Sequence, residues 1–156
     1  MNEQFHFNYR IFPSIAALSA TDQMLIEQAK SAMQKAYAPY SAFKVGASVL
    51  LKSGVVIQGN NQENIAYPSG LCAERVALFY AGATQPNDPI LKICIVAEGD
   101  LTSNDAYISP CGPCRQVMLE SEGRQEEAIE VILVQKTGKV LKLDSVQNLL
   151  PFGFSK

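Results

Sequence analysis

The 156-residue sequence has no tryptophan, one histidine and four cysteines, and only 18% of its residues are charged. With His6 as the sole imidazole, and placed in an N-terminal arm, a metal centre here has to rest on other ligand types. Basic residues (13) do not outnumber acidic ones (15), the formal charge is −2 and the pI is 5.4. That balance lacks the basic footprint of a nucleic-acid binder, so polymer substrates are disfavoured and no nucleic-acid partner is expected. No apolar run approaches the ~18 residues of a membrane span, so no membrane partner is expected either. Residues 1–12 alternate polar and aromatic side chains and lack the apolar segment and cleavage site of a secretory leader, which predicts a cytoplasmic protein. Thiols stay reduced there, and the cysteines read as ligands, nucleophiles or buried hydrophobes rather than disulfides.

What is present suits one packed domain: 47% of residues are hydrophobic, on a chain of ordinary domain length. Ser19 or Thr21 caps a helix beginning near Asp22, with Leu25, Ile26, Ala29, Met33 and Ala36 at helical spacing and Pro39 beyond its end. Residues 43–52 and 55–58 are β-prone and separated by Ser53-Gly54, a hairpin signal. Residues 72–82 predict a helix apolar nearly all round, 91–97 a strand, 113–122 a helix with proline at its start, and 129–135 another strand. A last β-prone run, 139–143, precedes a short helix over 145–150. Strand, helix, strand, helix, strand implies a parallel portion of sheet. The expected fold is a three-layer α/β/α domain with a mixed sheet of about five strands, residues 1–20 being an N-terminal extension and 21–156 a single domain.

Cys111-Gly112-Pro113-Cys114 sits at a predicted helix start, which brings both sulfurs to one side of the first turn. Alone, that spacing fits a redox pair, half a zinc site or two unrelated cysteines. Cys72-Ala73-Glu74 opens a second helix. Two helix N-termini aimed at one point favour thiolate, and three sulfurs around zinc leave the fourth tetrahedral position open, as in catalytic sites. Glu74 would stand beside that position. The pattern C-x-E…P-C-x-x-C resembles the zinc deaminase signature, which usually has His at the first place. Arg75 and Arg115, each next to a site residue, are candidates to donate to the sulfurs and offset the surplus negative charge of three thiolates. Cys94, inside an apolar strand, reads as a small core hydrophobe.

Four blocks extend the likeness: A-Y-A-P-Y-S-A-F-K-V-G-A (36–47), G-N-N-Q-E-N-I-A-Y (59–67), C-A-E-R-V-A-L (72–78) and S-P-C-G-P-C-R-Q (109–116). With the terminal L-P-F-G-F (150–154) they make the chain similar, over about residues 22–154, to the small homotetrameric cytidine deaminases. The resemblance implies one zinc per chain on Cys72, Cys111 and Cys114, with Glu74 moving protons between water, ring nitrogen 3 and the departing ammonia. It implies that Phe43 stacks on the pyrimidine, that Asn61 and Glu63, with Gln62 between them, grip the ribose hydroxyls, and that the Ala73 amide donates to the ring carbonyl. Cytidine and deoxycytidine would be the substrates, in pyrimidine salvage. A blasticidin S-type deaminase is the alternative, although its pocket would not need the Asn61-to-Asn64 block. The resemblance also implies a homotetramer, with Tyr67 at a subunit contact and Phe154 near a neighbour's pocket. A zinc-stabilised binding module without catalysis would need a fourth ligand, for which Cys94 is the only candidate by residue type.

Overall fold

Short β-branched and aliphatic runs alternate their side chains between two faces, and that alternation builds the sheet. The computed structural model describes residues 2–155. Among them are strands β1 Tyr9–Phe12, β2 Lys44–Leu51, β3 Val56–Asn60, β4 Ile90–Glu98, β5 Glu130–Val134 and β6 Val140–Leu143, with helices α1 Ala20–Gln34, α2 Ala73–Thr84 and α3 Gly112–Gly123. The strands form one mixed sheet in the order β1-β6-β5-β4-β2-β3. Neighbours are antiparallel except β4 and β5.

One face carries Ala47, Val49, Leu51, Ile93, Ile95, Val131 and Leu133 against α2 and α3. The other carries Leu50, Cys94, Val96, Ile132, Val134 and Val140 against Leu25, Ile26, Ala29 and Met33 of α1. This is the expected three-layer α/β/α arrangement, with one strand more than the sequence predicts. The additional strand, β1, comes from the N-terminal extension and pairs with β6 from Tyr9↔Leu143 to Phe12↔Val140. Phe12 turns inward to the α1 layer, while Arg10 reaches Glu130 at 2.8 Å and Asp144 at 2.5 Å.

Helix α1 begins where Ser19 Oγ accepts the Asp22 amide at 3.2 Å, so Ser19 and not Thr21 is the cap. The buried Asp22 carboxylate then meets Lys92 Nζ at 2.7 Å and Lys142 Nζ at 2.5 Å, and Glu130 lies 2.9 Å from both lysines. Two carboxylates and two ammonium groups thus cancel beneath α1, where an unpaired charge would be costly.

Helix α2 buries Ala73, Glu74, Ala77, Leu78 and Ala81 on one side. Its opposite side leaves Phe79 and Tyr80 about half exposed, so a helix that is apolar nearly all round is buried along one side only, not nearly all round as its composition suggests. One sheet face covers one stripe of a helix, and the second apolar stripe stays open.

The parallel portion is narrower than the element order suggests, because β2 stands between β3 and β4. Yet β3 and β4 are both antiparallel to β2, so β3, β4 and β5 run in one direction. Helices α2 and α3 therefore begin from the carboxyl ends of co-directional strands, at the same end of the sheet. That is where open α/β sheets form their binding crevices.

Candidate metal centre and pocket

Cys72 is the N-cap of α2, Cys111 the N-cap of α3, and Cys114 lies in the first turn of α3. Close approach of α2 to the sheet depends on Gly59. A Cβ there would stand 2.4 Å from the Ala73 carbonyl oxygen and 2.6 Å from the Ala77 nitrogen. The sulfurs of Cys72 and Cys111 are 3.8 Å apart, those of Cys111 and Cys114 are 3.3 Å apart, and all three lie within 4.8 Å of one another. A tetrahedral zinc with sulfur at about 2.3 Å has ligand–ligand edges of about 3.8 Å, so the donor set fits in both type and spacing. Cys94 is wholly buried on the α1 face of the sheet and does not belong to the group.

Hydrogen bonding shared with Cys114 holds the Cys72 thiol down to about 5, against burial and with help from Arg75. The same sharing, together with burial, pushes Cys114 up. Arg75 Nη2 donates to Cys72 Sγ at 3.8 Å. Arg115 does not reach a sulfur: it donates to the carbonyls of Pro110 (2.8 Å) and Leu149 (3.0 Å) and to Ser109 Oγ (2.8 Å). Ser109 and Pro110 lead into Cys111, and Leu149 lies in the C-terminal segment, so Arg115 ties the ligand loop to the chain's end rather than neutralising thiolate.

A cavity of about 540 Å³ opens beside the sulfurs, and Cys72, Cys111, Glu74, Asn61, Gln62 and Glu63 all line it. Glu74 is buried, 4% exposed, and burial pushes its carboxyl up from 4.5. Phe43, Leu101 and Ile108 form apolar parts of its wall. Ala73 is fully buried behind Glu74, and its amide is one of the first helical N–H groups, which have no partner within the helix.

Hydrogen bonds fix the polar side chains that follow β3. Asn61 accepts the Val45 amide at 2.7 Å and donates to the Phe43 carbonyl at 2.9 Å, which ties it to the strand that bears the aromatic wall. Gln62 donates to Asn60 at 2.5 Å. Glu63 accepts the amides of Tyr40 (2.9 Å) and Ser41 (3.3 Å) and the Ser41 hydroxyl. The Ser41 hydroxyl bond, acting against slight desolvation and joined by the two amides, holds the Glu63 carboxyl below 4.5. Sequence reasoning did not single out Ser41; its place two residues before Phe43 in Y-S-A-F was the available signal. Tyr67 borders the cavity, 76% exposed, with its ring 6.1 Å from that of Tyr40. Phe154 is 87% exposed and stands away from its own chain's cavity, its backbone clipped to Gln116 at 2.7 and 3.2 Å.

Three thiols at two helix starts, beside a buried carboxylate and a nucleoside-sized crevice, define a metal-site hydrolytic enzyme on an α/β/α fold. Residues 19–128 match the family model described as the cytidine and deoxycytidylate deaminase zinc-binding region. A cytidine deaminase of Sporosarcina psychrophila is 37% identical over 86% of this chain and 91% of its own, and one of Halalkalibacterium halodurans is 47% identical over 63% and 70%. Among solved structures, the cytidine deaminase from Burkholderia pseudomallei is 43% identical with a TM-score of 0.74, covering 85% of this chain and 98% of its own. That from Mycobacterium tuberculosis is 30% identical with a TM-score of 0.66, covering 86% and 97%. The chain belongs to the cytidine and deoxycytidylate deaminase family, and with it to the zinc-dependent hydrolytic deaminases.

Proposed function

We propose that the protein deaminates cytidine and deoxycytidine to uridine and deoxyuridine with release of ammonia, serving pyrimidine salvage in the cytoplasm. The observation that carries this reading is one cavity lined both by Cys72, Cys111 and buried Glu74 and by the amide and carboxylate of Asn61 and Glu63. Cys72, Cys111 and Cys114 would hold a zinc ion, which would supply Lewis-acid activation of water. Glu74, buried beside the thiols, takes one proton from the attacking water and delivers it to ring nitrogen 3, then takes the remaining proton of the hydroxyl added at carbon 4 and delivers it to the amine, which leaves as ammonia while the new carbonyl forms.

Phe43 stacks on the base and the Ala73 amide donates to its carbonyl oxygen. Asn61, Gln62 and Glu63 hold the sugar. An ionised Glu63 accepts but does not donate, so its partner must be a hydroxyl rather than a phosphate oxygen. Arg75 tempers the charge on the sulfurs, and Arg115 braces the loop that leads to them. Residues 21–156 form the deaminase domain, with 1–20 an addition to it. The exposed Tyr67, Phe79, Tyr80, Phe152 and Phe154 support a homotetramer in which Tyr67 and Phe154 meet neighbouring subunits.

A panel of free bases, nucleosides and nucleotides, followed by ammonia release alongside zinc analysis, tests the reading. Turnover of cytidine and deoxycytidine with one zinc per chain is the expected result. Faster turnover of a blasticidin-type antibiotic, or of free cytosine, would overturn it.

A further inference from the structure

The loop between β4 and α3 supplies a wall of the cavity through Leu101 and Ile108, and its first residues lean on Phe43. Gly99, at φ +127°, lies so near that a Cβ would meet the Ala42 carbonyl oxygen at 2.8 Å and Phe43 Cα and Cδ2 at 3.0 Å each. The end of the loop is anchored by Ile108 and Tyr107 in the core, and its beginning is held from the β5–β6 turn. Lys136, in the turn between β5 and β6, donates from Nζ to the carbonyl of Gly99 and, at 2.7 Å, to that of Thr102. Its neighbour Gln135 donates to the Asp105 carbonyl at 2.5 Å and accepts the Thr137 hydroxyl at 2.9 Å. Three loop carbonyls are thus gathered by one turn, and Leu101 sits between the two that Lys136 takes.

We propose that Lys136 is a positioning residue for substrate: by bridging the Gly99 and Thr102 carbonyls it holds Gly99 against Phe43 and keeps Leu101 in the pocket wall. The inference rests on the nucleoside reading of the cavity. An ammonium group suits the task because it has three donors and no acceptor, so it can satisfy two carbonyls at once. The contact is about 34 positions distant in sequence and touches neither the sulfurs nor Glu74. Its loss should therefore change how the base is held before it changes proton transfer.

The test is Lys136→Met, which keeps the stem and removes the donors, with Leu101→Ala as a second variant at an exposed position. Lys136→Met should raise KM for cytidine about tenfold with kcat changed much less, since misplacement of the ring wall weakens substrate binding. Zinc content should stay at the wild-type value. Amide hydrogen exchange over residues 99–105 should quicken, and Lys136→Arg should restore most of the loss because guanidinium also bridges two carbonyls. Leu101→Ala should raise KM in the same direction. Unchanged KM in Lys136→Met, or a fall in kcat and KM together with loss of zinc, would overturn the positioning role. Inactivity of the wild type on cytidine would instead overturn the nucleoside reading, while the exchange comparison still reports whether Lys136 holds the loop.

Discussion

At the scale of single residues, Glu74 and Glu63 are the same side chain put to opposite uses. Glu74 is buried and its carboxyl is raised, which suits a group that takes and returns a proton. Glu63 is pinned by three donors and its carboxyl is lowered, which suits a fixed acceptor. Glu74→Gln should keep fold and zinc but reduce deamination by about 10²–10⁴-fold, read from kcat beside metal analysis, because an amide cannot carry the proton. Cys94→Ala should keep the metal, and zinc analysis of the variant checks it. The grouping of Cys72, Cys111 and Cys114 was legible because metal-site chemistry demands rare residue types at fixed spacing. The Glu63 anchors were not, since two of them are backbone amides and any sequence supplies those. Arg115 was legible as a neighbour of the motif, but its partners were not: adjacency in sequence does not say which way a long side chain turns.

Among elements, α1 and the sheet are locked by charges that no periodicity announces. Burial alone would raise the Asp22 carboxyl, but hydrogen bonds from Lys142 and Lys92 outweigh it and hold it below 3.8. Glu130 likewise sits below 4.5, because Lys92 and Lys142 overcome its burial. Carboxyls lowered in the folded state contribute stability that is present above their ordinary values and is lost as pH falls through the folded ones. Urea unfolding from neutral pH downward should therefore show stability held until the solution passes below the ordinary carboxylate range, then falling. Asp22→Ala should cost about 3 kcal/mol at neutral pH and flatten that acid dependence, since it leaves Lys92 and Lys142 to share the single carboxylate of Glu130 beneath α1. The layers were legible because alternation in β2, β4 and β5 assigns each side chain to a face. Strand β1 was not: the alternation over residues 1–12 was visible, but its partner strand is distant in the chain and no turn signal joins the two. The insertion of β2 between β3 and β4 was hidden for a related reason, since element order constrains direction more than neighbourhood.

For the whole molecule, the apolar surface left outside the two core layers points to assembly. The outer stripe of α2 with Phe79 and Tyr80, the Tyr67 turn and the Phe152 and Phe154 tail are all open on a single chain. Light scattering should report about four chains, and truncation before Phe152 should lower both assembly and kcat/KM. A fully active monomer would leave the zinc chemistry intact and remove the shared-site arrangement. The sheet itself also orders events in time. Arg10 and Asp144, at the paired strands β1 and β6, are 134 positions apart, so β1 is synthesised long before its partner. Until β6 is made, Tyr9–Phe12 has no edge to join. Closure of the sheet at this edge is then a late, long-range step in folding.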